Sequence, residues 1–137
     1  MDSILINIIL SLVTGVIGGV ISGLYTGVVS AKYSAFEESR REILKVLRSI
    51  HYDDGKYIQG HEEGQLNRIW LASSEFLTMG QKAAGLLTRN HYGKLVANIS
   101  GNTKENILSE QILMDFQIEV REMKINKLGL LFGINEK

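Results

Sequence analysis

The distribution of apolar and polar residues divides the chain into a long uncharged stretch and a longer part with helical periodicity. Residues 4–31 contain no Asp, Glu, Lys or Arg and are dominated by Leu, Ile, Val and Gly. A helix rises about 1.5 Å per residue, so this stretch is long enough to cross the roughly 30 Å hydrocarbon core of a bilayer. A core helix of a soluble domain rarely stays uncharged for so long. The pattern therefore predicts a transmembrane helix over residues 1–31.

Small residues recur at every fourth position of this stretch and form one stripe along the helix. The stripe consists of Ser11, Gly15, Gly19, Gly23, Gly27 and Ala31. Each glycine lowers helix propensity by about 1 kcal/mol relative to alanine, so their repetition favours a close approach of helix backbones. A repeat of four is longer than the helical period, which predicts a right-handed crossing. We expect the chain to form a homo-oligomer through this stripe, called the glycine stripe below.

A second stripe of small residues runs beside the first at the same spacing. It consists of Thr14, Gly18, Ser22, Thr26 and Ser30 and is called the hydroxyl stripe below. In a dimer or trimer, these hydroxyls would bond to backbone carbonyls or across the interface. In a larger ring, they could line a water-filled lumen. We prefer the second interpretation because it explains why two small stripes lie side by side.

The pattern stays helical after the apolar stretch, and residues 32–137 predict a small helical bundle domain. Residues 32–51 carry apolar side chains on one side, and no Gly or Pro separates them from the transmembrane helix. We expect one long helix, or two helices with a slight bend near residues 32–34. The apolar positions of this segment are Phe36, Ile43, Leu44, Leu47 and Ile50.

Glycines and polar clusters indicate where the later elements end. Residues 53–55 form a turn signal, followed by a polar segment that we expect to be a loop until about Gly64. Gly80 is expected to break or kink the helical pattern that starts at Glu62, and residues 91–93 are expected to form another turn. No run alternates with period two, and proline is absent, so the sequence predicts an all-α domain without a sheet.

Three further predictions concern the packing of the domain. Trp70 and Phe76 are interpreted as core anchors rather than as a ligand-stacking pair. The final helix is expected to start at a cap formed by Asn102 or Thr103, with Glu105 in its first turn. Its apolar stripe is Ile107, Leu108, Ile112, Leu113, Phe116, Val120 and Met123. The apolar tail over residues 128–134 could dock on the bundle, on a neighbouring subunit or on the membrane surface.

Charge is balanced over the whole chain but uneven beside the apolar stretch. The formal net charge is zero, which argues against a generic binder of polyanions. The basic residues that follow the stretch, with none before it, are Lys32, Arg40, Arg41, Lys45 and Arg48. Basic residues favour the cytoplasmic side, so we expect a single-pass topology with the N-terminus outside and residues 32–137 in the cytoplasm. In a bacterium the membrane would be the inner one.

The sequence contains no recognised enzymatic motif. A P-loop, an HExxH motif, a GxSxG motif and a dinucleotide fingerprint are all missing. We therefore expect no catalytic residues and no cofactor. Without cysteine, neither a disulfide nor a thiolate metal site can form. His51 and His61 lie near Asp53 and Asp54 without the spacing of metal ligands, so we expect no metal site.

One cluster could contact RNA or another phosphate: Lys82, Arg89, Asn90, His91 and Lys94. A fixed cation beside an imidazole is suited to stabilising a phosphate and to acid–base chemistry. Ribonucleases of the HEPN class separate their Arg and His by several residues on a helical bundle, whereas only Asn90 lies between Arg89 and His91. A solvated helix end is the preferred interpretation of residues 89–91.

The overall plan resembles that of small membrane effectors and accessory proteins of bacterial antiphage systems. The resemblance rests on Gly15, Gly19, Gly23 and Gly27 together with the helical remainder. It includes the pore-forming accessory proteins of type VI CRISPR loci, which carry divergent HEPN-like helical domains. The resemblance implies permeabilisation or depolarisation of the inner membrane during infection. The cytoplasmic domain would then respond to a defence-system protein, an RNA or a nucleotide signal.

Other functions remain open at the level of the sequence. The chain could be a membrane-anchored adaptor that recruits a cytoplasmic partner, with dimerisation as the only role of its glycines. It could also be a holin-like or exclusion protein encoded by a phage, which shares the physics of a pore. A divergent HEPN-like domain that binds or cleaves RNA is the remaining alternative.

Overall fold

A computed structural model describes residues 2–53, 56–101 and 109–132 of the chain. In this part of the chain the fold is mostly helical, and its elements are α1 (Asp2–Ser49), β1 (His51–Asp53), β2 (Lys56–Gln59), α2 (Glu63–Thr78), α3 (Lys82–Ile99), α4 (Ser109–Glu122) and α5 (Lys127–Phe132). The chain divides into two compact units, Met1–Lys32 and Tyr33–Lys137.

The first unit consists of the apolar part of α1. This part is long and apolar enough to span a membrane, and none of it is buried by the described residues. Its large side chains are exposed along the whole stretch, from Ile4 at 64% to Val28 at 55%. The prediction of a helix over this stretch is confirmed. Its apolar surface has no partner within the described chain.

The core of the second unit is built from the apolar faces of α1, α2, α3 and α4. Phe36 and Phe76 are fully buried and face each other, with ring centroids 4.8 Å apart. Other core residues are Ile43, Val46, Leu47, Leu66, Ile69, Leu95, Ile112, Phe116 and Val120. Burying one such side chain stabilises a fold by roughly 1.5–3 kcal/mol. The predicted core positions in residues 32–51 are confirmed except for Leu44, which is only partly buried against the core, and those in the described part of the final helix are confirmed.

A two-stranded hairpin stands where a loop without strands was expected. Strands β1 and β2 pair antiparallel, with Tyr52 opposite Tyr57 and their rings 5.2 Å apart. The Tyr57 hydroxyl also hydrogen bonds to the Asn98 side chain on α3 at 2.5 Å. The expectation of no sheet is wrong because strands of three and four residues are too short to display alternation. Residues 54 and 55 of the predicted turn lie outside the described residues.

The junction between α2 and α3 agrees with the expected break at Gly80. Gly80 has a φ of 76°, and the Gln81 amide donates to the Phe76 carbonyl at 2.8 Å. The turn expected at residues 91–93 is wrong, because α3 continues through them to Ile99. Burial of His91 and Leu95 on α3 outweighs the cost of about 1 kcal/mol that Gly93 brings to a helix interior.

The described part of the apolar tail docks on the domain itself. The buried Gln81 side chain donates to the Asn126 carbonyl at 2.9 Å and accepts from the Asn126 amide at 2.8 Å. Leu130 is buried, and a Cβ added at Gly129 would lie only 2.6 Å from the Gly80 carbonyl oxygen. The expected cap at residues 102–103, Glu105, the first stripe residues 107–108 and the tail beyond residue 132 lie outside the described residues.

Candidate self-association surface

The glycine stripe lies on the apolar part of α1, where nothing in the described chain covers it. A Cβ added at Gly15, Gly19, Gly23 or Gly27 would meet no heavy atom of the described residues within 4 Å. Ser11 and Ala31, at the two ends of the stripe, are exposed as well. Four residues advance a helix by about 40° beyond one full turn, so the stripe winds slowly around α1. Its groove-like surface is free to receive another helix.

The hydroxyl stripe lies on a neighbouring face of the same helix. Each of its positions precedes a glycine-stripe position by one residue, which separates the two faces by about 100°. Gly18, Ser22 and Ser30 are exposed, as are the two threonines. The Thr14 hydroxyl donates to the Leu10 carbonyl at 2.6 Å, and the Thr26 hydroxyl donates to the Ser22 carbonyl at 2.8 Å.

These two bonds bear on how the hydroxyl stripe could act. Each threonine satisfies its donor inside its own helix and therefore needs no partner across an interface. Each hydroxyl oxygen still has a lone pair that can accept a hydrogen bond from water. The bonds are compatible with a dry interface and with a wet lumen, and both interpretations of the stripe stay predictions.

The residues of the cluster that could contact RNA or another phosphate do not lie together in the structure. Arg89 points toward α2, where it donates to Ser73 Oγ and Ser74 Oγ, each at 3.3 Å. His91 is buried, and its Nε2 lies 2.9 Å from Glu119 Oε2 on α4. The two side chains leave α3 about 200° apart, so they do not share one site.

The remaining contacts of these residues also differ. The His91 ring stacks on Phe116 at 4.9 Å, so the interpretation of residues 89–91 as a solvated helix end is wrong. Lys82, Asn90 and Lys94 are exposed on α3. Contact with RNA through this cluster stays a prediction, but the imidazole and the guanidinium cannot act together on one phosphate.

Trp70 occupies a different position from the one expected. Phe76 is a core anchor as predicted, whereas Trp70 is 40% exposed at the surface of α2. Its ring lies 4.6 Å below the Arg89 guanidinium carbon and 5.6 Å from the Tyr92 ring. The sequence gives no local signal for this arrangement because its members come from two different helices.

Two lysines that the sequence analysis did not single out lie close to Lys82. Lys124 and Lys127 line, together with Lys82, a depression of about 350 Å³ beside the start of α3. No spacing rule connects these positions, because the end of α4 and the start of α5 meet α3 only in the folded domain. Among residues 2–53, 56–101 and 109–132, no three His, Asp or Glu side chains are grouped to hold a metal ion.

Comparisons with protein-family models, with curated proteins and with solved structures found no match for this chain.

Proposed function

We propose that this chain is a homo-oligomeric membrane protein of the pore or channel type, in which the apolar part of α1 crosses the bilayer. The observation that carries the proposal is the uncovered glycine stripe. Four glycines on one helix face weaken the helix and form no contact within the described chain. Close packing against a neighbouring helix compensates for that loss.

Exposure of the large apolar side chains supports placing this part of α1 in a membrane. Leu12, Leu24 and Ile21 each expose more than half of their surface. A core helix of a soluble domain would bury such residues, whereas none of this stretch is buried by the described residues. A surface of this size is unfavourable in water and is stabilised by lipid or by other subunits.

The pore part of the proposal rests on the second stripe. When the glycine stripe faces a neighbouring subunit, the hydroxyl stripe can face the axis of a closed ring. Hydroxyl oxygens that still accept hydrogen bonds, such as those of Thr14 and Thr26, are suited to a hydrated passage without a charged selectivity ring. A wide or poorly selective passage agrees with permeabilisation or depolarisation of a membrane.

The orientation follows from the basic residues after the apolar stretch. Under the positive-inside rule, Lys32, Arg40 and Arg41 favour a cytoplasmic location of the second unit. In a bacterium this membrane is the inner one, and the cytoplasmic domain would gate the pore. An antiphage effector of this kind would respond to a defence-system protein, an RNA or a nucleotide signal.

A membrane-anchored adaptor is the second candidate. The back-bonding of Thr14 and Thr26 is compatible with it, because neither hydroxyl donor needs water. The observation that favours it is the exposed Trp70 beside the half-buried Arg89, since Trp and Arg are enriched in protein interfaces. In this case the glycine stripe would only dimerise the anchor.

A flux measurement on liposomes that contain the full chain tests the pore. We expect the wild-type protein to release an entrapped fluorescent dye or potassium. The double variant Gly19→Leu, Gly23→Leu fills the stripe with two large side chains, so it should abolish both the release and the oligomer.

A matched control adds bulk to the face of the same helix that lies opposite the hydroxyl stripe. Val16 and Val20 each lie two residues from positions of the hydroxyl stripe, about 200° around the helix, so they face lipid when that stripe faces the axis. Val16→Phe with Val20→Phe should leave release and oligomer size unchanged. Absence of release by a wild-type oligomer would reject the pore and favour the adaptor.

A further inference from the structure

A basic depression lies in the second unit, between the start of α3 and the segment that joins α4 to α5. Its volume is about 350 Å³, and its walls include Lys82, Lys124 and Lys127. The remaining walls are Gln81, Asn126 and apolar residues, and no carboxylate of the described residues is among them. Three cations therefore line one concave surface.

Hydrogen bonds within the domain hold the walls of this depression in place. Gln81 is only 2% exposed and forms two hydrogen bonds with the backbone of Asn126. The Asn126 side chain in turn accepts from the Gly129 amide at 2.9 Å. These bonds fix the backbone on both sides of Lys127 against the start of α3. The lysines are thus gathered by a folded framework and do not depend on a mobile loop.

Among the described residues, no carboxylate pairs with the lysines of this depression. Lys82, Lys124 and Lys127 form no ion pair within 4 Å in the described ranges. Lys124 also borders a second depression that contains Glu119 and Glu122, but it forms an ion pair with neither of them. Like charges on one concave surface repel each other, and an anion bound among them relieves that repulsion.

We propose that this depression binds a phosphate group, carried either by a soluble small molecule or by a lipid headgroup. Lysine ammonium groups bind phosphate oxygens as point charges, through charge-assisted hydrogen bonds. The volume lies within the range of small-molecule sites and accommodates a phosphate with a small substituent. The proposal does not depend on oligomerisation or on a pore. In this proposal Lys82 acts together with Lys124 and Lys127, and not with Arg89 and His91.

Titration of the full chain with inorganic pyrophosphate tests a soluble ligand. The protein is held in nanodiscs of phosphatidylcholine, and binding is measured by calorimetry. Lys124→Gln with Lys127→Gln removes two of the three cations that line the depression, so it should weaken binding at least tenfold. Lys45→Gln changes an exposed lysine of α1 that lies outside the depression, and it should leave binding unchanged.

Retention of an anionic lipid tests whether the phosphate group belongs to a lipid headgroup. The same three proteins are purified from a membrane that contains phosphatidylglycerol, and the bound lipid is quantified by mass spectrometry. Loss of retained phosphatidylglycerol only in the double lysine variant identifies a lipid headgroup. Loss of pyrophosphate binding alone identifies a soluble ligand. The proposal is overturned if neither binding depends on Lys124 and Lys127 while circular dichroism shows an intact fold.

Discussion

At the scale of single residues, close backbone contacts and buried polar groups determine which positions tolerate change. Gly60 follows the hairpin with a φ of 82°, and a Cβ added there would lie 2.1 Å from the Ser49 carbonyl oxygen. The position therefore excludes side chains for two independent reasons. His91 is confined differently, between the Phe116 ring and the Glu119 carboxylate.

Replacing Gly60 by alanine should destabilise the second unit. A left-handed conformation costs a residue with a side chain about 1–2 kcal/mol, and the collision with the backbone of Ser49 adds to this. We expect a loss of about 2–4 kcal/mol in the free energy of unfolding, measured by denaturant titration of the full chain in detergent.

Gly93 provides the control for this substitution. It lies inside α3, and a Cβ added there would meet no described heavy atom within 4 Å. Gly93→Ala should be neutral or stabilise the protein by up to about 1 kcal/mol. Equal effects of the two substitutions would show that the backbone around Gly60 is not as described.

The burial of single residues could be predicted from the sequence where it depends on the apolar face of one helix. It could not be predicted where it depends on contacts between helices that are distant in the sequence. Phe36, Phe76 and Phe116 could be assigned to the core because each belongs to an apolar stripe. Trp70 and His91 could not be placed correctly, because their surroundings depend on which helix lies opposite. Local periodicity carries no information about that partner.

At the scale of elements, long helices were easier to predict than the short hairpin. The apolar stretch, the break at Gly80 and the stripe of the final helix each span several turns or carry a strong local signal. Strands β1 and β2 comprise only three and four residues, and the Tyr57–Asn98 bond to α3 helps to hold them. Such a hairpin depends on tertiary contacts that no alternation reveals.

A triple substitution on α1 tests whether the hydroxyl stripe lines a hydrated passage. Thr14→Val, Ser22→Val and Thr26→Val together remove three of the four hydroxyls of the stripe while leaving Ser30, Gly18 and the glycine stripe intact. A hydrated lumen would become apolar and dewet, so dye or ion release should fall at least tenfold without a change in oligomer size.

An adaptor would respond differently to the same substitutions. Back-bonded hydroxyls contribute little to a dry interface, so the triple variant would assemble and recruit its partner normally. Undiminished release by the triple variant would show that the hydroxyl stripe does not line the passage. Comparison with the Gly19→Leu, Gly23→Leu variant separates a blocked passage from a lost assembly.

At the scale of the whole molecule, the described residues leave one surface without a partner. The second unit buries its own core and docks Leu130 on it, whereas the apolar part of α1 buries none of its side chains. The sequence predicts that lipid and other subunits cover this helix, and this stays a prediction. It could not predict how many subunits assemble, because that number depends on crossing angles between copies.

The most direct test of the central claim is the subunit arrangement of the intact protein. We would image the full chain in nanodiscs by electron microscopy and measure its mass in the same sample. A closed ring of more than three subunits with a central opening is the predicted result. A dimer would leave no room for a lumen, and a monomer would also contradict the role assigned to the glycine stripe.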